Sequence, residues 1–249
     1  MSIKHNLRKY LWRFGYDITR FKPSSHSVAR RKQLLDFYNI DTVLDIGANS
    51  GQFALELRDD LGYENKIISF EPLSSAYNLL YRNAKGDQNW DVFNIALGDH
   101  EGKCEINIAG NSLSSSLLKM LPAHINSAPG SSYIDKEIIQ VKTLDSIFNS
   151  LCTQMNKVYM KIDTQGFESK VLKGAENSLK QIDTVQLEMS VVPLYEGEVL
   201  FNEMCVLMSD KGYSLVAIEP VFSDPDTGQL LQLDGIFQRL SDDLKPYGK

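Results

Sequence analysis

The sequence has few cysteines and histidines, and it has no long hydrophobic run. Cys104, Cys152 and Cys205 lie far apart without a CxxC pair, and the four histidines are equally scattered. This pattern predicts buried thiols in a reducing compartment and excludes a disulfide framework or a sequence-local zinc site. No apolar run approaches the roughly 20 residues that cross a bilayer, and the N-terminus lacks the apolar stretch of a secretory signal. We therefore expect a soluble, cytoplasmic protein.

Acidic residues outnumber basic ones, and the two signs are unevenly distributed. The net charge of the 249 residues is −6, but residues 1–32, the basic arm, contain nine Lys or Arg and one acid, a net charge of +8. The remaining residues then carry 17 basic and 31 acidic side chains, a net charge of −14. Such a body repels nucleic-acid phosphates, so we predict no nucleic-acid partner.

Apolar residues of the basic arm recur at three- and four-residue steps despite Gly15. This spacing predicts a helix with one apolar face from Leu7 to Phe21, and a second helix is expected from about His26 to Tyr38. The apolar face either packs on the acidic body or docks on anionic lipid or a membrane-associated assembly.

From Asp41 onward, short β-branched runs alternate with helical stretches. The predicted strands are residues 42–46, 66–70, 90–95, 157–162, 184–189, 213–218 and 235–240. The predicted helices are residues 52–61, 74–83, 166–180 and 200–211. This alternation is typical of βαβ units on a mostly parallel sheet that helices cover on both faces. The last two strands leave no room for a helix, so we expect them to form an antiparallel edge.

One region departs from this alternation. Residues 104–110 and 137–145 have the pattern of two further strands, and the segment between them is rich in Ser, Asn and Gly. A long insertion of this kind is commonly a functional lid or a disordered segment, and Ser114–Ser116 are candidates to close over a site. Because no Pro- or Gly-rich linker divides the chain, we expect one domain over 1–249. It would comprise a basic helical extension over 1–40 and a core over 41–249, with the insertion at about 103–142.

The stretch VLDIGANSGQF, residues 43–53, changes from strand to helix within a few residues. Gly47 and Gly51 remove side chains at the turn, which allows a ligand to approach the backbone at the N-terminus of the helix. Asn49 stands where the middle glycine of a dinucleotide loop belongs, and no GK[ST] of a Walker loop follows. Asp45 would repel phosphates. The loop therefore predicts a ligand with cationic and hydrogen-bond-donating groups, and S-adenosylmethionine carries an ammonium and a sulfonium.

A second acid follows the next predicted strand. Glu71, in SFEP about twenty residues after Gly51, can accept hydrogen bonds from both hydroxyls of a ribose. Each acid also has a structural alternative, since Asp45 could cap a helix and Glu71 could be a surface acid before a proline. The presence of two acids at the ends of consecutive strands favours the interpretation that both bind the cofactor over these structural alternatives.

The third predicted strand ends in NIALGD. Ala96 and Leu97 suit an adenine face, while Asn94 or Asp99 could meet its polar edge. The residues that we expect at the cofactor are Asp45, Gly47, Ala48, Asn49, Gly51, Gln52, Glu71, Pro72, Asn94, Ala96, Leu97 and Asp163.

Six ordered segments of the chain resemble the FkbM-type S-adenosylmethionine-dependent methyltransferases. They are VLDIGANSGQF, SFEP, NIALGDHEG, VKTLDSIF, YMKIDTQGFESKVLKGAE and VQLEMSVVPLYEG, within about residues 40–200. The resemblance implies an α/β fold, a Rossmann-like three-layer αβα sandwich whose mostly parallel seven-stranded sheet has an antiparallel last strand. It also implies methyl transfer, usually to a hydroxyl of a sugar, glycan or polyketide-like natural product. KIDTQGFE departs from the commoner KIDVEGxE, with Thr164 and Gln165 in place of Val and Glu.

Methyl transfer to an alcohol is an in-line displacement in which a base removes the hydroxyl proton. Asp163, at the end of the fourth core strand, is the candidate base, or else a second cofactor-positioning acid or a helix cap. Lys161 lies on the same side of the strand as Asp163 and would keep the Asp163 carboxylate ionised. Glu188 ends the neighbouring strand, and the two carboxylates could hold Mg²⁺, although no further oxygen ligand is identifiable. Glu168 would orient Asp163 or the substrate, or face solvent, and Tyr195 would line the acceptor pocket or pack against it.

Two other functions remain open. The first is methyl transfer to nitrogen or to a carboxylate on the same fold, although the [DN]PP[YF] element of amine-directed nucleic-acid methylases is absent. The second is a catalytically inactive module that retains the cofactor pocket.

Overall fold

The computed structural model describes residues 3–240, with side chains from Asn6 onward. The chain divides after Asn39 into two compact units.

The first unit contains two helices, α1 (Ile3–Trp12) and α2 (Ser27–Phe37). The helix predicted as far as Phe21 is wrong beyond Trp12. The chain turns at Gly15, whose φ of +77° lies in the left-handed region, and no α-helix continues through that geometry. The Arg8 guanidinium donates hydrogen bonds to the Asp17 carboxylate, and this contact holds the residues after the turn against α1.

The part of the second unit that the structure describes, residues 40–240, is built on ten strands. They are β1 (Thr42–Ile46), β2 (Lys66–Phe70), β3 (Trp90–Phe93), β4 (Ala96–Leu97), β5 (Gly102–Ala109), β6 (Tyr133–Lys142), β7 (Val158–Ile162), β8 (Thr184–Ser190), β9 (Tyr213–Ser223) and β10 (Leu230–Arg239). Seven of them form the main sheet in the order β3-β2-β1-β7-β8-β10-β9. The strands from β3 to β8 in this order are parallel, and β10 is antiparallel to both β8 and β9. The predicted Rossmann-like sheet with a reversed last strand is confirmed.

Six α-helices of this unit connect the strands or lie in the insertion. They are α3 (Gln52–Leu55, continued by a π-helical turn, Glu56–Asp60), α4 (Ser74–Ala84), α5 (Pro122–Ser127), α6 (Leu144–Leu151), α7 (Glu168–Lys173) and α8 (Phe201–Asp210). The single helix predicted over 166–180 is wrong, because α7 ends before Gly174 and a 3₁₀ turn follows at Ser178–Gln181. A Cβ at Gly174 would lie 1.8 Å from the carbonyl oxygen of Gly98, so a close backbone contact fixes this break.

A second, smaller sheet has the order β4-β6-β5. The single strand predicted over 90–95 is therefore wrong at its end, since the main-sheet strand stops at Phe93 and the chain then crosses to the small sheet as β4. The two extra strands predicted around the insertion are present and antiparallel. Residues 143–145 of the second one instead begin α6, where the Thr143 hydroxyl accepts the Ser146 amide in an N-cap.

The central strands are buried on both faces, which explains their continuous apolar runs. All five residues of β1 are buried, including Asp45, and Leu44 and Ile46 belong to the main core. Each fully buried Leu or Ile contributes about 1.5–3 kcal/mol to folding. Cys152 is buried, whereas Cys104 and Cys205 are half-buried, so the prediction of three buried thiols is wrong for two of them. No helix within residues 3–240 combines the length and the apolar character needed to cross a membrane.

Candidate active site

A cavity of about 410 Å³ lies beyond the carboxyl ends of β1, β2, β7 and β8. This edge is where open α/β sheets bind ligands, and the volume suits a small molecule. The three candidate catalytic residues, Lys161, Asp163 and Glu188, line it. Most residues expected at the cofactor line it as well, namely Gly47, Ala48, Asn49, Gln52, Glu71, Pro72, Ala96, Leu97 and Asp163.

Gly47 and Gly51, the two glycines of the loop after β1, have different structural roles. Gly47 has a φ of +80°, and a Cβ there would lie 1.9 Å from the carbonyl oxygen of Asp163, so this glycine allows the ends of β1 and β7 to meet. Gly51 also has a left-handed backbone, but it lies away from the cavity. A Cβ at Gly51 would come within 2.9 Å of Leu80 and Trp90, so its role in the structure is packing.

Glu71 projects into the cavity from the end of β2, and backbone amides hold its carboxylate. Its Oε2 accepts from the Asn49 amide and its Oε1 from the Leu73 amide, each at 2.8 Å. Burial raises the pKa of Glu71 to about 7, although these two hydrogen bonds oppose the shift. Each oxygen keeps an acceptor site for a further donor.

The apolar wall of the cavity includes Ala96 and Leu97. Asn94 and Asp99, the two residues predicted to meet the polar edge of the adenine, do not line the cavity. The Asn94 amide donates to the carbonyl oxygens of Glu71 and Pro72, at 2.9 Å each, and so braces the loop that carries Glu71. Asp99 forms ion pairs with lysines of α7 outside the cavity.

Asp45 is fully buried beneath the cavity and does not line it. Its Oδ2 accepts from the Ser69 hydroxyl at 3.4 Å, and its Oδ1 lies 3.9 Å from the Lys161 ammonium without a hydrogen bond. Burial raises the pKa of Asp45, and the charge of Lys161 opposes this rise. The negative charge of the Asp45 carboxylate thus stabilises the Lys161 ammonium from beneath the cavity.

Lys161 and Asp163 form a half-buried ion pair at the end of β7, with Nζ 3.1 Å from Oδ2. Burial alone would lower the pKa of Lys161, but the charges of Asp163 and Asp45 outweigh it and hold that pKa above its usual value. Burial likewise opposes ionisation of Asp163, yet Lys161 and a hydrogen bond from Gln165 keep its pKa below the usual value. The pair is therefore ionised at neutral pH.

Gln165 bridges the two candidate carboxylates. Its Nε2 donates both to Asp163 Oδ1, at 2.9 Å, and to Glu188 Oε2. Burial and the negative charge of Asp163 raise the pKa of Glu188 well above its usual value, which favours the neutral form of Glu188 beside an ionised Asp163. One amide nitrogen thus contacts an oxygen of each of the two carboxyl groups. Within the described residues, no group of three or more His, Cys, Asp or Glu is arranged to hold a metal ion.

The insertion lies over this bridge. The Ser116 hydroxyl donates to the backbone carbonyl of Gln165 at 2.7 Å, and the Tyr195 hydroxyl donates to its Oε1 at 2.6 Å. Tyr195 is buried behind Gln165 and does not line the cavity, whereas Ser112 and Ser115 do. The cavity is therefore covered on one side by the insertion.

Glu168 shapes the loop after β7. Its Oε1 accepts from the amide and the hydroxyl of Thr164 and from the amide of Gly166. Burial raises its pKa to about 7. Of the alternatives for Glu168, solvent exposure is excluded because the side chain is buried.

Several site residues were not identified from the sequence. Gln165 was noted only as a departure from the commoner family motif, and its place two residues after Asp163 is the signal that could have revealed it. Gln232 donates to Glu188 Oε2 at 3.2 Å from the reversed strand β10. No local pattern could have found Gln232, because this contact depends on the pairing of β10 with β8.

The sheet order, the cavity at the strand ends and the acidic residues around it define a Rossmann-like methyltransferase. Residues 45–215 match the model of the methyltransferase FkbM domain. The chain belongs to this family, which confirms the resemblance seen in the six segments. The chain accordingly contains a methyltransferase domain of the FkbM type.

Several solved structures are similar to the chain at low sequence identity. Methyltransferase FkbM from Methylobacillus flagellatus KT is 15% identical, with a TM-score of 0.45 over 79% of this chain and 44% of that one. A SAM-dependent methyltransferase from Aquifex aeolicus is 13% identical, with a TM-score of 0.45 over 89% of this chain and 100% of that one. M. capricolum TrmK, in complex with S-adenosyl-homocysteine, is 9% identical, with a TM-score of 0.44 over 87% of this chain and 71% of that one.

The chain thus spans less than half the length of the Methylobacillus flagellatus protein. No curated protein matches the chain.

Proposed function

We propose that the protein transfers the methyl group of S-adenosylmethionine to a hydroxyl oxygen of a sugar, glycan or polyketide-like acceptor. The observation that carries this proposal is the hydrogen-bonded Lys161–Asp163–Gln165–Glu188 cluster at the cavity, which lowers the pKa of Asp163 and raises that of Glu188. An ionised, oriented carboxylate is what removal of a hydroxyl proton requires. The three free cysteines suit a reducing compartment, and we place the reaction in the cytoplasm.

The residues of the cavity fit the cofactor. Glu71 offers free acceptor sites to the two ribose hydroxyls, and Ala96 and Leu97 offer an apolar surface to the adenine. When bound, S-adenosylmethionine supplies an electrophilic methyl group on a sulfonium. Asp163 supplies a negative charge that lines the cavity, while Asp45 acts on the site through Lys161.

In this proposal, Asp163 accepts the proton of the acceptor hydroxyl as its oxygen attacks. Gln165 and Lys161 hold the carboxylate in one orientation, because each donates to a different oxygen of it. Glu188 stays neutral, so it adds no second negative charge. The insertion and Gln165 exclude water on one side of the cavity, since Ser116 ties the two together. A proton acceptor of this kind contributes about 10²–10⁴-fold to the rate.

This arrangement acts without a bridging metal. The Gln165 amide already donates hydrogen bonds to both carboxyl groups, so the proposal assigns no divalent cation to them. A hydroxyl needs proton removal during transfer, whereas a carboxylate acceptor does not, and this difference favours O-methylation of an alcohol over carboxyl methylation.

The test compares two near-isosteric variants in the purified full chain. Release of S-adenosyl-homocysteine is measured with panels of hydroxyl, amine and carboxylate acceptors. Asp163→Asn should lower kcat about 10²–10⁴-fold. Glu188→Gln should keep kcat within about tenfold of wild type at neutral pH, because it replaces a group that is already neutral.

Three outcomes contradict the proposal. Turnover only with amines or carboxylates supports the alternative acceptors. Cofactor binding without turnover on any panel supports an inactive module. Equal losses in the two variants contradict the assignment of Asp163 as the base.

A further inference from the structure

Exposed aromatic and aliphatic side chains are concentrated in residues 7–22, which we name the basic aromatic segment. Seven of its apolar side chains are each at least 49% exposed: Leu7, Tyr10, Trp12, Phe14, Tyr16, Ile18 and Phe21. We propose that this segment binds the surface of a bilayer that contains anionic lipid.

The charge of the segment fits an anionic surface. Its one acid, Asp17, is neutralised internally, since Arg8 Nε and Nη2 lie 2.5 and 2.6 Å from its two oxygens. Four further cations, Lys9, Arg13, Arg20 and Lys22, form no ion pair with any residue that the structure describes. Each cation close to an anionic membrane strengthens binding by about fivefold.

The apolar side chains are of the kinds that favour the membrane interface. The Trp12 indole donates to Asp17 at 2.9 Å, and the Arg8 guanidinium lies 5.5 Å from its ring centroid, so ring and charge lie side by side. Tyr10 and Phe14 pack edge to face at 5.3 Å. Trp and Tyr are enriched at bilayer interfaces because an apolar ring and a polar edge fit the headgroup region. A cluster of this kind can insert to a shallow depth without a complementary pocket.

The distribution of charge along the chain also indicates that the basic arm alone binds the anionic bilayer. The rest of the chain, beyond residue 32, carries a net charge of −14 and is repelled by an anionic surface. An acidic protein offers the same charge as the lipid but requires a shaped apolar pocket for these side chains. A bilayer requires none, and it is therefore the occupant that we propose.

The test is sedimentation of the full chain with vesicles of phosphatidylcholine, with or without phosphatidylserine. The protein should sediment with the phosphatidylserine vesicles only, and added salt should release it. The triple variant Lys9→Glu, Arg13→Glu, Lys22→Glu should bind about a hundredfold or more weakly. The matched control, Lys85→Glu, Lys103→Glu, Lys180→Glu, changes the net charge equally at exposed sites and should bind like the wild type.

A fluorescence measurement needs no charge variant. Trp12 is exposed, whereas the other tryptophan, Trp90, is buried. Phosphatidylserine vesicles should therefore shift the emission of the wild type to the blue, and Trp12→Phe should abolish this shift.

Four results would overturn the proposal. They are no binding to phosphatidylserine vesicles at low salt, equal loss of binding in the control variant, binding without a shift of the Trp12 emission, and attachment to polyglutamate as tight as to the vesicles. The last result would indicate an acidic protein as the partner.

Discussion

At the scale of single residues, the site shifts the pKa values of two neighbouring carboxyl groups in opposite directions. Asp163 is held ionised by Lys161 and Gln165, and Glu188 is held neutral by burial and by the charge of Asp163. The sequence predicted both acids and the lysine, because strand ends gather at one edge of a parallel sheet. It also predicted that Lys161 keeps Asp163 ionised, but it did not predict the raised pKa of Glu188, which depends on burial and on the charge of Asp163.

Glu71 makes cofactor binding depend on pH. Its pKa of about 7 in the free protein should fall when ribose hydroxyls donate to its ionised form. Affinity for S-adenosylmethionine should then be full above pH 7 and fall by up to about tenfold for each pH unit below it, as the free carboxylate takes up a proton. Calorimetric titrations across this range check the slope. Glu71→Gln should bind more weakly and with a flatter pH profile, and an unchanged slope in this variant would exclude Glu71 as the coupled group.

Gln165→Glu tests the bridge between the carboxylates. The variant loses both N–H donors and adds a third carboxyl group, so the pKa of Asp163 should rise. The loss of hydrogen bonds to a charged group, at about 1.5–3 kcal/mol, predicts a kcat reduced roughly tenfold to a hundredfold at neutral pH. The measurement is kcat against pH, with and without Mg²⁺. Gln154→Glu, the same change at an exposed position, is the control. A variant that retains the wild-type kcat and pH profile would show that the bridge has no role in turnover.

At the scale of elements, the insertion is an ordered part of the site. Its short helix α5 places His124 against Tyr195, with the ring centroids 5.2 Å apart. The ring is buried, and its Nδ1 has no hydrogen-bond partner within the described structure. A neutral, buried imidazole thus packs behind the tyrosine that positions Gln165.

His124 should make the stability of the protein depend on pH. Burial lowers its pKa to about 4 from an unfolded value of about 6.5, so only the unfolded state takes up this proton between those values. The free energy of unfolding should be full above pH 6.5 and lose up to about 2–3 kcal/mol as the pH falls to 4. Chemical denaturation at several pH values checks this trend.

The variants of the same experiment separate His124 from other titrating groups. His124→Phe should flatten the trend, while His100→Phe, at an exposed histidine, should not. A loss of stability that is equally steep in the His124→Phe variant would assign the effect to other groups.

The ends of elements show where sequence patterns lose their information. The pattern predicted β1 and β2 with their observed bounds, because buried parallel strands are continuous apolar runs flanked by turns. It failed at Gly174 and at residues 94–97, where contacts with distant backbone end a helix and redirect a strand. Contacts between residues far apart in the sequence leave no local pattern.

At the scale of the whole molecule, the order of strands and helices was predictable from the sequence. The contacts that this order brings to the site were predicted only in part. Alternating strands and helices predict a parallel sheet, and two adjacent strands without a helix predict its antiparallel edge. The place of β10 between β8 and β9 brings Gln232 to Glu188, which no alternation predicts. Asp45 lies within the predicted strand β1, but its side chain lies beneath the cavity and not in it, where its charge stabilises Lys161.

The most direct test of the account is a crystal structure of the protein with S-adenosylmethionine bound. The acceptor oxygen must come within about 3 Å of the methyl carbon and within hydrogen-bond reach of its base. The account therefore predicts that a carboxylate oxygen of Asp163 lies within about 6 Å of that methyl carbon, with the ribose hydroxyls on Glu71. A methyl group that points away from Asp163, or a ribose that does not contact Glu71, would contradict it.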